Sequence, residues 1–158
     1  MQVSVANPDD CDAMLALFPR LAAFELPNGR NPEHLWSGDA NMLKRWATGA
    51  ITNCLVNVAR DDDGSILGVA MVTLRPELLS HNPSAHLEVL VVAKLAEGRG
   101  VGTALLEAAE MGAREQGAQS MSLHVFANNT RARWVYEKAG FDGELLRCIK
   151  LYSEDALK

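Results

Sequence analysis

The stretch that decides the fold of this chain is EGRGVGT, residues 97–103. An apolar run over 87–92 leads into it, and apolar residues recur every three or four positions from Val101 to Met111, as on one face of an α-helix. The glycines therefore lie where a strand turns into a helix. Glycine allows positive φ and close approach of a ligand, and the first N–H groups of a helix lack internal partners. Two interpretations stay open from this stretch alone: a pyrophosphate-binding turn, or a tight loop with an ordinary helix cap.

Composition bounds the class of protein. The chain has 158 residues, of which 48% are hydrophobic and 22% charged, which predicts a single globular domain over 1–158. A net charge of -5 gives a nucleic-acid or anionic-membrane partner no electrostatic support. The sequence has no long apolar run and no charged leader, so we expect no transmembrane helix and no signal peptide. The three cysteines are far apart and form no CxxC pair, which argues against a disulfide framework or metal site and favours a cytoplasmic location.

The N-terminal part of the chain alternates short strands and helices. Alternating valines predict a strand over 3–5, and Asn7 begins a helical pattern that Pro19 should end or kink, because proline lacks an N–H group. A loop is predicted over 26–32 and a second helix over 35–46.

Three further strands are predicted before the glycine-rich stretch, over 54–60, 66–74 and 85–92. An acidic turn ending at Gly64 joins the first two, and a polar loop joins the next pair, so the three strands should form an antiparallel meander.

The chain after the glycine-rich stretch predicts a helix to about Gly117, a strand over 120–126, a helix ended by Gly140 and a last strand over 145–152. A strand, helix and strand in this order form a βαβ unit, so the two strands should be parallel. The whole is predicted to be one α/β domain with a mixed sheet.

A second motif makes the first specific. It is Asn-x-x-Ala-x-x-x-Tyr-x-x-x-Gly-Phe, and with it the chain resembles the GCN5-related N-acetyltransferase (GNAT) superfamily. The superfamily's other motif, Arg/Gln-x-x-Gly-x-Gly/Ala, is matched at Gly100 and Gly102, but Glu97 stands where Arg or Gln is usual. The second motif is complete at Asn129, Ala132, Tyr136, Gly140 and Phe141.

The resemblance implies an acyl-CoA N-acyltransferase fold, with a mixed sheet of about six to seven strands flanked by about four helices. It implies transfer of the acetyl group of acetyl-CoA (coenzyme A), without a metal, to a primary amine of a small molecule or peptide. The amine would attack directly in a ternary complex, and members are often homodimers. The alternative is a non-catalytic acyl-CoA-binding or regulatory module, which Glu97 favours because a carboxylate repels a pyrophosphate.

The resemblance also implies roles for particular residues. Tyr136 corresponds to the general acid that protonates the departing sulfur, and its ordinary pKa near 10 keeps it protonated at neutral pH. Glu88 and His86 are both candidates for the base, and both could instead merely end their strand. A bulge near the end of the fourth strand is expected to free backbone groups for the pantetheine arm. The expected cofactor-binding residues are Leu90, Val91, Val92, Gly98, Arg99, Gly100, Val101, Gly102, Thr103 and Asn129.

Three points stay open in this assignment. Asn129 could be only a helix N-cap and Arg99 could be only solvated. The acceptor pocket of the superfamily corresponds to loops over 19–40 and 75–86 here, whose mixed charges select no particular amine. His124, on the fifth strand, is expected to be structural.

Overall fold

The computed structural model describes residues 1–158 and contains five strands and four α-helices. The strands are β1 (Gln2–Val5), β2 (Cys54–Arg60), β3 (Ile66–Pro76), β4 (Pro83–Val92) and β5 (Met121–Leu123). The helices are α1 (Cys11–Leu15), α2 (Ser37–Ala47), α3 (Val101–Glu115) and α4 (Thr130–Lys138). None of these helices combines the length and apolar character that crossing a membrane requires.

The strands form one sheet in the order β1-β2-β3-β4-β5. The first four are antiparallel to their neighbours, and β5 is parallel to β4. The predicted meander, the parallel βαβ unit and the mixed α/β class are therefore confirmed.

The strand predicted over 145–152 is wrong, and the sheet has five strands rather than six to seven. The segment is irregular, and Leu146 and Tyr152 are each 93% exposed. The apolar residues of this segment indicated a strand, but a strand also needs a neighbouring strand with which to pair. The outermost strand, β5, is only three residues long and offers little edge for that pairing.

The interruption of the first helix that was predicted at Pro19 is present. The helix ends at Leu15, and a 3₁₀ helix over Phe18–Ala22 replaces its second half. Pro19 is the cause, because it can begin a helical segment but cannot continue one from the preceding turn. This break places Arg20 on a separate segment that packs near the end of β4.

Two apolar cores lie on opposite faces of the sheet. One joins the sheet to α1 and α2 through side chains that include Met14 and Leu43, both fully buried. The other joins the sheet to α3 through Leu105 and its neighbours. The sheet is thus the middle of three layers.

A bulge in β4 lies at Glu88, earlier than the expected position near Leu90–Val92. Met71 pairs with Val89 and Val72 pairs with Leu87, so Glu88 has no opposite residue. The bulge reverses the side-chain alternation that a regular strand keeps. Leu87 packs with α3, whereas Val89 packs with the core on the other face.

The two parallel strands separate at the same place. β5 pairs with β4 only over Ala85–Leu87, so the edge of β4 from Glu88 to Val92 that faces away from β3 has no strand partner. The fourth and fifth strands therefore splay apart beyond Leu87, which opens a cleft in the sheet.

Candidate active site

The cleft between the separated strands has a volume of about 560 Å³. The unpaired part of β4 forms its floor. One wall comes from the segment around Arg20 and from α2, the other from residues 124–126 and α4, and the turn before α3 closes one end.

The glycine-rich turn presents free backbone donors to this end of the cleft. Gly98 and Gly100 have φ of 75° and 77°, in the left-handed region that other residues rarely adopt, and Gly100 begins α3 without a side-chain cap. The N–H groups of six consecutive residues find no acceptor within the protein. Such donors at the positive end of a helix dipole form an anion site. The six residues with unpaired N–H groups are Gly98, Arg99, Gly100, Val101, Gly102 and Thr103.

Glu97, beside this turn, is surrounded by cations. Its carboxylate lies 2.6 Å from Arg20, 3.1 Å from Arg131 and 3.5 Å from Lys94. The hydrogen bond from Arg131 and these positive charges lower the pKa of Glu97. The carboxylate is therefore matched by cations, which removes the repulsion expected from its position in the motif.

Arg99 points to a different partner. Its guanidinium lies 3.5 Å from Asp61, in the turn between β2 and β3, and it does not line the cleft. Only its backbone N–H belongs to the anion site.

Glu88, the bulge residue, lines the cleft at the other end from the glycine-rich turn. Its Oε1 accepts a hydrogen bond of 2.7 Å from the Thr73 hydroxyl, and the Arg75 guanidinium lies 4.0 Å away. The Glu88 side chain is 16% exposed. A carboxylate held in this way can accept a proton from a ligand in the cleft.

A second carboxylate, Asp39, also lines the cleft, and the sequence analysis missed its role. It has no hydrogen-bond or ion-pair partner among the protein's side chains. Burial, and secondarily the Glu88 carboxylate, raise the pKa of Asp39 to about 7. Asp39 lies in the first turn of α2, and only the tertiary fold brings it near Glu88.

Tyr136 lines the cleft from α4. Its ring meets that of Phe141 edge to face, with centroids 6.0 Å apart. Burial raises the pKa of Tyr136 to about 12, so its hydroxyl is protonated at neutral pH. It is a proton and hydrogen-bond donor facing the cleft.

Asn129 begins α4 and also lines the cleft. Its side chain accepts a hydrogen bond of 3.4 Å from the N–H of Ala132, as an N-cap residue does. The N-cap role is present in the structure, and contact with a ligand stays a prediction.

The two histidines near β5 differ from expectation. His86 is 4% exposed, does not line the cleft, and places Nδ1 2.8 Å from the Ser122 hydroxyl. Burial and, secondarily, Arg75 lower the pKa of His86 to about 4. His124, expected to be structural, is exposed and lines the cleft, with its ring 4.7 Å from that of His86.

Aromatic side chains join the two walls of the cleft. Phe24 and Phe126 lie with ring centroids 5.4 Å apart, and the Arg30 guanidinium lies 6.0 Å from the Phe126 centroid. The Asn128 amide donates a hydrogen bond of 2.6 Å to the carbonyl of Glu25. The 19–40 region therefore shapes the cleft, whereas no residue of 75–86 lines it.

The structure is a three-layer α/β fold with a cleft where two parallel strands separate, and unpaired N–H groups at the start of a helix close one end of that cleft. The chain belongs to the acetyltransferase (GNAT) family, whose model matches residues 19–141. The resemblance drawn from the two sequence motifs is confirmed.

Two curated relatives are named mycothiol acetyltransferase. The one from Jonesia denitrificans is 32% identical over 84% of this chain and 40% of its own length. The one from Propionibacterium freudenreichii is 38% identical over 53% of this chain and 26% of its own length. This chain thus spans less than half of either relative. A solved ribosomal-protein-alanine N-acetyltransferase from Brucella melitensis shares the fold, with a TM-score of 0.70 at 15% identity over 96% of this chain and all of that one.

Proposed function

We propose that this protein transfers the acetyl group of acetyl-CoA to a primary amine of a small molecule or peptide. The observation that carries the proposal is the row of six unpaired N–H groups at one end of a cleft whose other residues include Glu88 and Tyr136. The N–H groups would bind the pyrophosphate of coenzyme A. The unpaired edge of β4 over Leu90–Val92 would bind the pantetheine arm, with Asn129 across the cleft.

The two ends of the cleft suit different charges. Arg20 and Arg131 line it beside the glycine-rich turn, whereas Asp39 and Glu88 line it farther back along β4. Glu88 and Val92 are four residues apart, which is about 13 Å along a strand. An amine acceptor is mostly an ammonium ion at neutral pH, since the pKa of an alkyl amine is near 10 and that of a peptide α-amino group is about 8. The carboxylates would bind that cation.

Transfer requires the ammonium to lose a proton before its nitrogen can attack. Glu88 would take this proton, with Thr73 holding its carboxylate. The amine nitrogen then forms a bond to the thioester carbonyl carbon, and the carbon–sulfur bond breaks. Tyr136 would protonate the departing sulfur and recover its proton from the nitrogen that has become an amide. We keep His86 as a prediction for the base, but its place behind the cleft favours Glu88.

Calorimetric titration with acetyl-CoA, with NADH as the control ligand, tests the cofactor. Micromolar binding of acetyl-CoA and none of NADH would support the proposal, and release of free thiol with a panel of primary amines would test turnover. Binding without turnover of any amine would favour the alternative of a non-catalytic acyl-CoA-binding or regulatory module. Absence of binding would contradict the proposal. We propose no acceptor more specific than a primary amine. We also propose that the protein acts in the cytoplasm.

A further inference from the structure

Glu97 and its cations carry a net positive charge beside the unpaired N–H groups. Three cations surround one carboxylate there, and two of them, Arg20 and Arg131, line the cleft. Ion pairs near a protein surface, such as these partly exposed ones, add little to the free energy of unfolding. The arrangement instead fixes where two guanidinium groups lie.

We propose that Glu97 is a positioning residue that holds Arg131 at the glycine-rich turn, and that Arg131 binds the pyrophosphate of the acyl-CoA substrate. This inference rests on the proposed function. Glu97, which departs from the family motif, would then help to bind the pyrophosphate, although its own charge repels that anion.

The contacts separate the two arginines. Arg20 is fixed twice, by Glu97 and by a hydrogen bond of 2.7 Å from its Nε to the carbonyl of Val92. The Arg131 side chain is 69% exposed, and Glu97 is its one ion-pair partner. Loss of the Glu97 carboxylate would therefore free Arg131 while leaving Arg20 attached to β4.

Arg131 keeps donors for a ligand while it is paired. A guanidinium has five N–H donors, and the contact of Glu97 with Nη1 at 3.1 Å leaves most of them available. Arg131 also lies in the first turn of α4, two residues after Asn129, and both residues line the cleft. Guanidinium groups bind phosphate oxygens with charge-assisted hydrogen bonds, often two at a time.

The test measures the dissociation constant of coenzyme A by calorimetry for the wild type, Arg131→Gln, Glu97→Gln and the double variant. Arg45→Gln and Glu107→Gln are the matched controls, because these two exposed side chains remove the same charges away from the cleft. Arg131→Gln should weaken binding about tenfold or more, since it removes a charge-assisted contact. Glu97→Gln should also weaken it several-fold, although it removes a negative charge beside the phosphates.

The double variant should bind no more weakly than Arg131→Gln, because both changes remove the same placed guanidinium. The Arg131→Gln penalty should persist with 3′-dephospho-coenzyme A, which retains the pyrophosphate. Thermal melting of each variant checks that it is folded.

The inference would be overturned if Glu97→Gln bound coenzyme A as tightly as the wild type or more tightly, or if Arg131→Gln had the same dissociation constant as Arg45→Gln. It would also be overturned if the losses of affinity in the two single variants added up in the double variant. The fourth contrary result is an Arg131→Gln loss of affinity that disappears with 3′-dephospho-coenzyme A. These results leave the proposed function standing as long as the wild type binds coenzyme A. Failure of the wild type to bind it would overturn both.

Discussion

The hydroxyl of Thr73 donates a hydrogen bond of 2.7 Å to Oε1 of Glu88. Thr73 lies on β3 and Glu88 is the bulge residue of β4, so the bond fixes a carboxylate that the bulge has released from the regular alternation of the strand. A base must be held within reach of the proton that it removes. The bulge and this bond together would supply that placement for Glu88, the proposed base.

Replacement of Glu88 by Gln is expected to lower kcat by about a hundredfold, the lower end of what a general base contributes. The amide keeps the size of the side chain and a hydrogen-bond acceptor for Thr73 but cannot accept the proton. The affinity for acetyl-CoA should stay unchanged, because Glu88 lies at the end of the cleft away from the glycine-rich turn. Steady-state kinetics with an amine accepted by the wild type measures kcat, and an unchanged kcat would remove Glu88 from the mechanism.

Replacement of Tyr136 by Phe is expected to lower the transfer rate by about tenfold to a hundredfold while leaving the affinity for acetyl-CoA nearly unchanged, since only the proton donor is lost. The raised pKa of about 12 means that the wild type should show no loss of activity from Tyr136 ionisation below about pH 11. Single-turnover rates across pH test both statements. A variant as fast as the wild type would show that another group protonates the sulfur.

The local patterns of this chain could be predicted from sequence. The glycine-rich turn, the N-cap at Asn129 and the parallel strands around α3 depend on residues close together in the chain. Their chemistry is set by backbone freedom and helix ends, which short motifs encode.

The electrostatic partners could not be predicted in the same way. Arg20 and Glu97 are 77 residues apart, and Asp39 approaches Glu88 only through the packing of α2 on the sheet. For residues 145–152 the local apolar pattern predicted a strand, but the folded chain offers no partner strand and the segment is irregular. Pairings of this kind depend on the tertiary fold.

Replacement of Gly100 by Val is expected to weaken binding of acetyl-CoA by tenfold or more. Gly100 has φ of 77°, and the left-handed region costs a residue with a Cβ atom about 1–2 kcal/mol, so the turn should shift and misalign its N–H groups. Gly38→Ala is the control, because Gly38 lies in α2 with open space around its Cα. Calorimetry measures the affinity of each folded variant, and retained affinity in Gly100→Val would place the anion site elsewhere.

His86 should make the protein sensitive to acid. Its pKa is about 4 in the folded state against an ordinary value of 6.5, so the unfolded chain takes up a proton first as pH falls. The contribution of His86 to the free energy of unfolding should therefore decrease from about pH 6.5 to about pH 4, by on the order of 2 kcal/mol.

Urea unfolding at a series of pH values measures this loss, and His86→Asn should lack it. His34→Asn, at an exposed site, should retain the wild-type profile. Parallel pH profiles for the wild type and His86→Asn would contradict the assignment of the loss to His86.

Asp39 should have the opposite dependence on pH. Its pKa is about 7 in the folded state against an ordinary value near 3.8, so the unfolded chain loses its proton first as pH rises. The contribution of Asp39 to the free energy of unfolding should therefore fall between about pH 4 and pH 7, opposite in sign to that of His86, and Asp39→Asn should lack it. We expect the variant to be the more stable protein at pH 8 by on the order of 1 kcal/mol, a value reduced for partial solvent exposure, and nearly equal to the wild type at pH 4.

Asp39 is expected to destabilise the protein but to strengthen binding of the acceptor, since a carboxylate without a protein partner is available to an ammonium ion. Asp39→Asn should raise KM for the amine several-fold and leave KM for acetyl-CoA unchanged. Asp142→Asn, at an exposed site outside the cleft, is the control for both measurements. If Asp39→Asn gained stability at pH 8 without any change in KM for the amine, Asp39 would be a buried charge with no part in binding the acceptor.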